Sequence, residues 1–240
     1  MGEIITIKNN KEQVGKSWIT LQLGHAFTLL EKEDTTPYRV LLVTSDINND
    51  ILKFSGFKNA KVEKKLNDFI KTGELNEIKL RENLFYIPLE KTSFSELFKR
   101  KVKKSLEKLK NDFDLILIDS VPQLEIDKEF VEIADSVIIP TYLDDKTFRE
   151  IFQLVKEIKK IIAVIPNRYT KSKKTDVVYG ELKDLLERKH IFLTNPIKQS
   201  SHILNLLEDG KTIWDTKSLE VEETQAIIYQ LMMHILNKKI

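Results

Sequence analysis

Residues Asn9 to Trp18 read Asn-Asn-Lys-Glu-Gln-Val-Gly-Lys-Ser-Trp, and this stretch decides the fold. It follows Glu3 to Lys8, an apolar run that predicts a buried strand. After Ser17, apolar residues recur at helical spacing, at Ile19, Leu23, Ala26, Phe27 and Leu30. Strand, loop and helix in this order form the context in which phosphate-binding loops occur.

The tripeptide Gly15-Lys16-Ser17 gives this loop a specific chemistry. Gly15 lets the backbone approach a phosphate, Lys16 reaches the terminal phosphates, and the Ser17 hydroxyl can ligate magnesium. The helix that begins there directs free N–H groups at the same anion. Asn10 occupies the place of the usual first glycine, and the tripeptide alone also fits a simple helix start capped by a polar residue.

Length and composition predict one domain covering residues 1–240. The chain is 41% hydrophobic with a formal net charge of +2, so any affinity for nucleic acid must come from local patches. It has no cysteine, which excludes disulfides, thiolate metal sites and cysteine nucleophiles. No stretch approaches the roughly 18 apolar residues that span a bilayer, so we expect a soluble, cytoplasmic protein.

Strand-like and helix-like runs alternate along the chain. Predicted strands cover residues 39–44, 83–88, the run 113–122, 134–140, 161–166 and 190–194. Predicted helices cover residues 64–78 with a break at Gly73, 93–110, a run around 148–158, 177–188, 201–207 and 219–236. Parallel strands need crossover connections, so this order predicts an α/β fold with a mainly parallel twisted sheet and helices on both faces.

Two predicted strands end in acids. The strand 39–44 leads into Ser45-Asp46, and the apolar run from Phe113 reaches Asp119. Open α/β sheets bind ligands at the carboxyl ends of their strands. Asp119 is therefore well placed to hold magnesium through water, although it could instead cap the next helix.

Several segments occur in the order and spacing of the ParA/MinD family of deviant P-loop ATPases. They are Lys11 to Ser17, Val43-Thr44-Ser45-Asp46, Phe113 to Pro122 and Ala134 to Pro140. The resemblance covers nearly the whole chain. It is strongest to the small ParA-type partition ATPases without an N-terminal DNA-binding domain, because the sequence starts directly at the first strand.

This resemblance implies roles for individual residues, with ATP and Mg²⁺ as cofactors. Lys11 would cross a dimer interface to the partner's nucleotide, Lys16 would bind phosphate, and Asp46 would orient the attacking water; these three form the catalytic set. Ser17 would ligate magnesium directly, with Asp46 and Asp119 around the metal. The nucleotide-binding residues would be Lys11, Glu12, Gln13, Val14, Gly15, Lys16, Ser17, Trp18 and, reading adenine, Asn167.

The sequence departs from the family at the loop itself. The family's two glycines are Glu12 and Gln13 here, and Thr44 replaces the first acid of the second motif. A carboxylate about 5 Å from a phosphate costs roughly 3 kcal/mol at an effective dielectric near 20. If Glu12 turns to solvent or pairs with Lys11, the backbone N–H groups can still bind phosphate, although a residue at positive φ carries strain.

Two basic segments and an apolar run near the C-terminus are candidates for binding DNA or a membrane. By the resemblance, Lys171, Lys173 and Lys174 lie in a surface loop that binds DNA without sequence preference, and Lys198 follows in a second loop. The apolar run 227–236 fits packing on the sheet better than membrane binding. The cluster Lys99, Arg100, Lys101, Lys103, Lys104 and Lys108 is interpreted as the solvated face of an amphipathic helix.

The sequence therefore favours a partition ATPase located on DNA in the cytoplasm. It would form a homodimer with ATP, bind DNA non-specifically, and be stimulated by a centromere-binding partner of the ParB type. One alternative is a small-molecule ligase similar to dethiobiotin synthetase, whose loop also ends in Val-Gly-Lys. Another is a degenerate module that keeps the fold and does not hydrolyse ATP.

Overall fold

A single eight-stranded sheet forms the centre of the computed structural model, which describes residues 2–58, 60, 65–89, 94–122 and 124–238. The strand order is β3-β4-β2-β5-β1-β6-β7-β8, and all neighbours are parallel except β3 and β4. This confirms the predicted α/β class with a mainly parallel sheet. The strands are β1 Glu3–Ile7, β2 Val40–Thr44, β3 Ile78–Arg81, β4 Leu84–Pro88, β5 Leu115–Asp119, β6 Ser136–Thr141, β7 Ile161–Pro166 and β8 Phe192–Leu193.

Helices cover both faces of the sheet. Those on one face are α1 Lys16–Thr28, α2 Asp50–Phe54, α8 Ser201–Glu208 and α9 Glu222–Asn237, and those on the other are α3 Leu66–Thr72, α4 Glu96–Leu109, α5 Ile126–Ile133, α6 Asp145–Glu157 and α7 Lys173–Glu187. Two short 3₁₀ turns, Ile213–Asp215 and Leu219–Val221, precede α9.

Alternation along the central strands explains the two cores. In β1, Ile5 and Ile7 pack with α1 and α9, whereas Ile4 packs with α4 and α5 on the opposite face. Successive side chains of a strand point to opposite faces, so a strand covered on both sides is apolar at most positions. The continuous apolar runs in the sequence follow from this double burial.

The structure corrects several predicted boundaries. Residue 78 begins β3, an antiparallel edge strand, and does not end a helix. Its alternation of apolar and charged residues is typical of a half-buried strand, and Asn83 at φ 60° closes the hairpin turn to β4. The last predicted strand, 190–194, is shorter in the structure, where β8 covers only Phe192–Leu193. Helices α2 and α5 were not predicted from the sequence. The predicted helix starts at residues 64 and 93 lie outside the described residues.

The C-terminal helix packs as the sequence indicated. In α9, Ile228, Leu231 and Ile235 are buried against the core that contains α1. Among the described residues, none of the helices combines the length and apolar character that a membrane crossing requires.

Strand register brings the carboxyl ends together. Ile7 of β1 and Thr44 of β2 both lie opposite Asp119 of β5. The loop after β1, the turn after β2 and the acid of β5 therefore meet at one edge of the sheet.

Candidate nucleotide-binding site

The backbone of the loop before α1 is fixed at Gly15. This residue caps the helix with φ 95°, and a Cβ there would overlap the side-chain amide of Asn167. That amide donates to Val14 O at 3.1 Å, while the Val14 side chain is fully buried. Only glycine combines this left-handed conformation with so close a neighbour.

Gln13 and Glu12 stand in the loop where the resembled family has two glycines, and the structure shows how the loop accommodates them. Gln13 adopts φ 59°, a conformation that costs a non-glycine residue roughly 1–2 kcal/mol. The Tyr142 hydroxyl donates to its carbonyl oxygen and supports that conformation. Glu12 is exposed, yet it lines the same cavity as Lys16. Solvent therefore screens part of the repulsion that its carboxylate would exert on a phosphate.

Lys16 folds back over the loop. Its Nζ donates to Lys11 O at 3.0 Å, and the residue is buried. Burial lowers the pKa of the Lys16 amine, while the Asp119 and Glu12 carboxylates oppose that shift. The side chain is a desolvated cation, which binds a phosphate more strongly than an exposed lysine would.

Ser17, Thr44 and Asp119 form a buried polar cluster beneath the loop. The Ser17 hydroxyl donates to Asp119 Oδ2 at 2.7 Å, and the Thr44 hydroxyl donates to the same oxygen at 3.1 Å. Asp119 is 1% exposed. Burial raises the pKa of its carboxyl group to about 6, although the hydrogen bond from Ser17 and the charge of Lys16 act in the opposite direction.

This donor set fits a magnesium ion. Mg²⁺ takes oxygen ligands and usually keeps several waters, with one or two protein ligands and the phosphates of its substrate. A serine hydroxyl beside a buried carboxylate supplies those protein oxygens. No group of three or more acidic or histidine ligands occurs among the described residues, and a water- and phosphate-bound magnesium needs none.

Lys11 is bound within its own chain. Its Nζ lies 2.8 Å from Asp144 Oδ2, 3.0 Å from Thr147 Oγ1 and 5.2 Å from the centre of the Tyr142 ring. Asp144 also caps α6 by accepting from Thr147 N at 2.8 Å. Burial alone would raise the pKa of Asp144, but the hydrogen bonds from Lys11 and Thr147 lower it to about 2.

Asp46 lies at the rim of the site, in the turn after β2. Its carboxylate accepts from Asn48 N at 2.9 Å, and its own N–H donates to Thr44 Oγ1 at 3.0 Å. The side chain is half-buried and faces the same cavity as Ser17. The turn thus holds Asp46, and no residue that the structure describes forms an ion pair with it.

A buried ion pair that was not predicted from the sequence lies next to the loop. Lys8 Nζ contacts Asp127 Oδ2, and the two side chains are only 9% and 12% exposed. Lys8 also donates to Asn10 Oδ1 at 3.1 Å, and Ser120 donates to Asp127. The pair therefore connects the start of the loop to the segment that follows Asp119. A lysine at the end of a strand and an aspartate more than a hundred residues later form no recognisable sequence pattern.

The loop before α1, the start of α1, Asp46 and Asp119 line a cavity of about 660 Å³. Its walls include Gly15, Ser17, Trp18 and Asn167, together with apolar residues of α8 such as Ile203. Pockets of 300–1,000 Å³ hold ligands of nucleotide size. Trp18 is 6% exposed, and its Nε1 has no hydrogen-bond partner among the described residues.

The predicted DNA-binding lysines are not all in loops. Lys173 and Lys174 lie in the first turn of α7, which begins there because Ser172 caps it by accepting from Thr175 N. Lys171 does precede the helix. Lys174 pairs with Asp145 at 2.8 Å, and Lys198 pairs with Glu223 at 2.8 Å.

Comparison with known proteins identifies relatives. A family model described as an AAA domain (AAA_31) matches residues 2–171. The sporulation initiation inhibitor protein Soj of Bacillus subtilis is 29% identical over 177 residues, which cover 67% of this chain and 66% of Soj. The chain thus matches slightly less than two thirds of that relative's length.

Two solved structures share the fold. Apo McdA from Cyanothece superposes with a TM-score of 0.78 at 18% identity, covering 96% of this chain and 99% of McdA. A Borrelia burgdorferi B31 protein described as a plasmid partition protein, bound to AMPPNP, superposes with a TM-score of 0.76 at 21% identity over the full length of both chains. Because the family model spans the chain from β1 to beyond β7, this chain belongs to the ParA/MinD family of P-loop ATPases.

Proposed function

We propose that this chain is a ParA-type partition ATPase. It binds ATP with magnesium, dimerises in that state, holds DNA without sequence preference, and is stimulated to release it by a centromere-binding partner of the ParB type. The observation that carries the proposal is the convergence of Lys16, Ser17 and Asp119 on one cavity at the N-terminus of α1.

The nucleotide would be held by the loop and the start of α1. Lys16 and the free N–H groups at the start of α1 would bind the phosphates, as expected for an anion at a helix N-terminus. Magnesium, when bound, would neutralise charge between the phosphates. Ser17 would hold it directly and Asp119 through water, while Asn167 would read the adenine.

Asp46 would orient the attacking water. It lines the cavity and is fixed by backbone N–H groups, so its carboxylate is available at a defined position. Lys16, Ser17 and Asp119 would bind the nucleotide independently of it. Removing the Asp46 carboxylate should therefore lower ATP turnover and leave ATP affinity unchanged.

Lys11 would complete the site of a second protomer. Its amine is engaged by Asp144 in the single chain, so dimerisation must exchange this ion pair for contact with the partner's nucleotide. Both side chains are partly exposed, and pairs of this kind contribute about 0.2–1 kcal/mol. A phosphate contact can offset so small a loss.

DNA binding is assigned to Lys171, Lys173, Lys174 and Lys198. Contacts of lysines with phosphates release counterions and make binding sensitive to salt. Two of the four are engaged in exposed ion pairs, which DNA phosphates would have to replace.

Isothermal titration and ATP turnover of two variants test the proposed mechanism. Asp46→Ala should keep the parent's ATP affinity and lose about 10²- to 10⁴-fold in turnover, the range supplied by a positioned acid or base. Asp50→Ala is the matched control, because this neighbouring acid also lines the cavity but pairs with Lys53. Its turnover should equal the parent's.

Glu12→Gly measures the cost of the unusual loop. Since Glu12 is exposed, we expect about a fivefold gain in ATP affinity, corresponding to about 1 kcal/mol in a water-like dielectric.

Turnover of Asp46→Ala at the parent rate would refute the mechanism. Failure of both the parent and Glu12→Gly to bind millimolar ATP would show a chain that keeps the fold without the ATPase.

A further inference from the structure

The outer face of α4 carries a stripe of cations that do not line the nucleotide cavity. We name the α4 stripe by its four members, Arg100, Lys101, Lys104 and Lys108, all of which are exposed. At 100° per residue they fall within an arc of about 100°, and they span about 12 Å along the helix axis. They therefore face solvent as one surface.

The α4 stripe differs in its ion pairs from Lys99 and Lys103, the other lysines in the predicted α4 cluster. Lys99 lies 2.9 Å from Glu96 and 3.3 Å from Glu125, and Lys103 contacts Glu132. Within the described ranges, no carboxylate pairs with any member of the α4 stripe. Because the whole chain has a formal net charge of +2, the α4 stripe is a strong local concentration of positive charge.

The α4 stripe differs from the lysines near α7 in this respect. Lys174 and Lys198 are neutralised by Asp145 and Glu223 in the single chain. The α4 stripe needs no such exchange before it can meet an anion. The sequence predicted one solvated face for all the cations of α4. The structure shows two groups, because Lys99 and Lys103 form ion pairs and the members of the α4 stripe do not form any with the described residues.

The chemistry of the α4 stripe indicates its partner. Protein interfaces are depleted in lysine, and surface helices that enter a membrane need an exposed apolar face. The apolar residues Phe98, Val102 and Leu106 are buried in the core, which leaves Leu97 as the exposed apolar side chain beside the α4 stripe. Single-stranded nucleic acid is bound on exposed aromatic rings, and the α4 stripe has none.

We propose that the α4 stripe is a second DNA-binding surface, which contacts the phosphate backbone of duplex DNA. It extends the proposed function by assigning a site separate from Lys171, Lys173, Lys174 and Lys198. One protomer would then contact DNA at two surfaces. Removing one phosphate-binding cation should reduce the slope of log affinity against log salt by about 0.9.

The test compares two variants with the same change in net charge. The first replaces Arg100, Lys101, Lys104 and Lys108 with Gln, a residue that favours helices nearly as well as lysine. The matched control replaces Lys159, Lys183, Lys189 and Lys217 with Gln; these lysines are exposed, scattered, and without a carboxylate partner among the described residues. The probe is a random-sequence 30-base-pair duplex, measured by fluorescence anisotropy with ATP and magnesium from roughly 50 to 200 mM salt.

We expect the stripe variant to bind this duplex at least about tenfold more weakly at 50 mM salt, with a slope lower by about 2–4. The control variant should match the parent. Equal affinity and slope for the two variants would overturn the proposal, as would a parent that does not bind the duplex at 50 mM salt. Loss of binding to phosphatidylserine vesicles with unchanged DNA binding would also overturn it and indicate a membrane surface.

A separate readout distinguishes this proposal from the proposed function. The stripe variant should still double in mass with ATP, because the α4 stripe does not line the nucleotide cavity. A parent that binds DNA through the α4 stripe but stays monomeric with ATP would support this surface and contradict the partition ATPase. Unchanged thermal unfolding of the stripe variant excludes misfolding as the cause of its weaker binding.

Discussion

Replacing Asp119 with asparagine should stabilise the ligand-free protein at pH 8. The Asp119 carboxyl is 1% exposed, and burial raises its pKa from 3.8 to about 6 in the folded state. A raised carboxyl pKa means that the folded state binds the proton more tightly than the unfolded state. The group therefore favours folding below about pH 4, and this contribution is lost as pH rises through about 6. At 1.36 kcal/mol per pKa unit, ionised Asp119 costs the folded protein about 3 kcal/mol at pH 8.

Asparagine removes the charge and keeps an oxygen that accepts from Ser17 and Thr44. For a chain of this length we expect the melting temperature at pH 8 to rise by about 6–12 °C. Urea unfolding at pH 8 and pH 4 measures the effect, which should nearly vanish at pH 4. Asp46→Asn is the matched control, since this half-buried acid should give a much smaller change.

The same substitution should weaken the response to ligand. Magnesium and ATP should raise the melting temperature of the parent and of Asp46→Asn, and should raise that of Asp119→Asn by less. If Asp119→Asn is no more stable than the parent at pH 8, or if its gain persists at pH 4, the buried charge is not the source of strain at this site.

Three further predictions test neighbouring contacts. Asp144→Asn keeps the helix cap but weakens the pair with Lys11, so stability should fall by less than about 1 kcal/mol in urea, while light scattering should show dimers at lower ATP concentration. Asp127→Leu should cost about 3–5 kcal/mol because it leaves Lys8 buried without a counter-charge, and the double change with Lys8→Met should recover most of that loss in urea unfolding. Gly15→Ala should abolish ATP binding in calorimetry, because φ 95° and the neighbouring amide leave no room for a Cβ; binding at the parent affinity would contradict the loop geometry.

Much of the fold could be predicted because its strands are buried on both faces. The runs of β1, β2, β5, β6 and β7 are apolar at nearly every position, and this pattern identified them. The edge strand β3 was missed because one of its faces meets solvent, which leaves a short alternation of apolar and charged residues.

The candidate site could be predicted only where local sequence carries the chemistry. Gly15, Lys16 and Ser17 are adjacent, and Asp119 ends an apolar strand. By contrast, the contact of Lys11 with Asp144 depends on how the chain places distant segments side by side. The start of α7 is set by the capping of Ser172, which the sequence analysis placed inside a loop.

Mass in solution tests the central claim most directly. Light scattering coupled to size exclusion should give the 28.0 kDa monomer without nucleotide and with ADP, and twice that mass with magnesium and a non-hydrolysable ATP analogue. Lys11→Ala should stay monomeric with the analogue. Lys32→Ala should dimerise like the parent, since Lys32 also pairs within its own chain, with Asp114 at 3.0 Å, but follows α1 and is not part of the loop that precedes it. A parent that binds the analogue and remains at 28.0 kDa, or that has the dimer mass in every nucleotide state, would contradict the account.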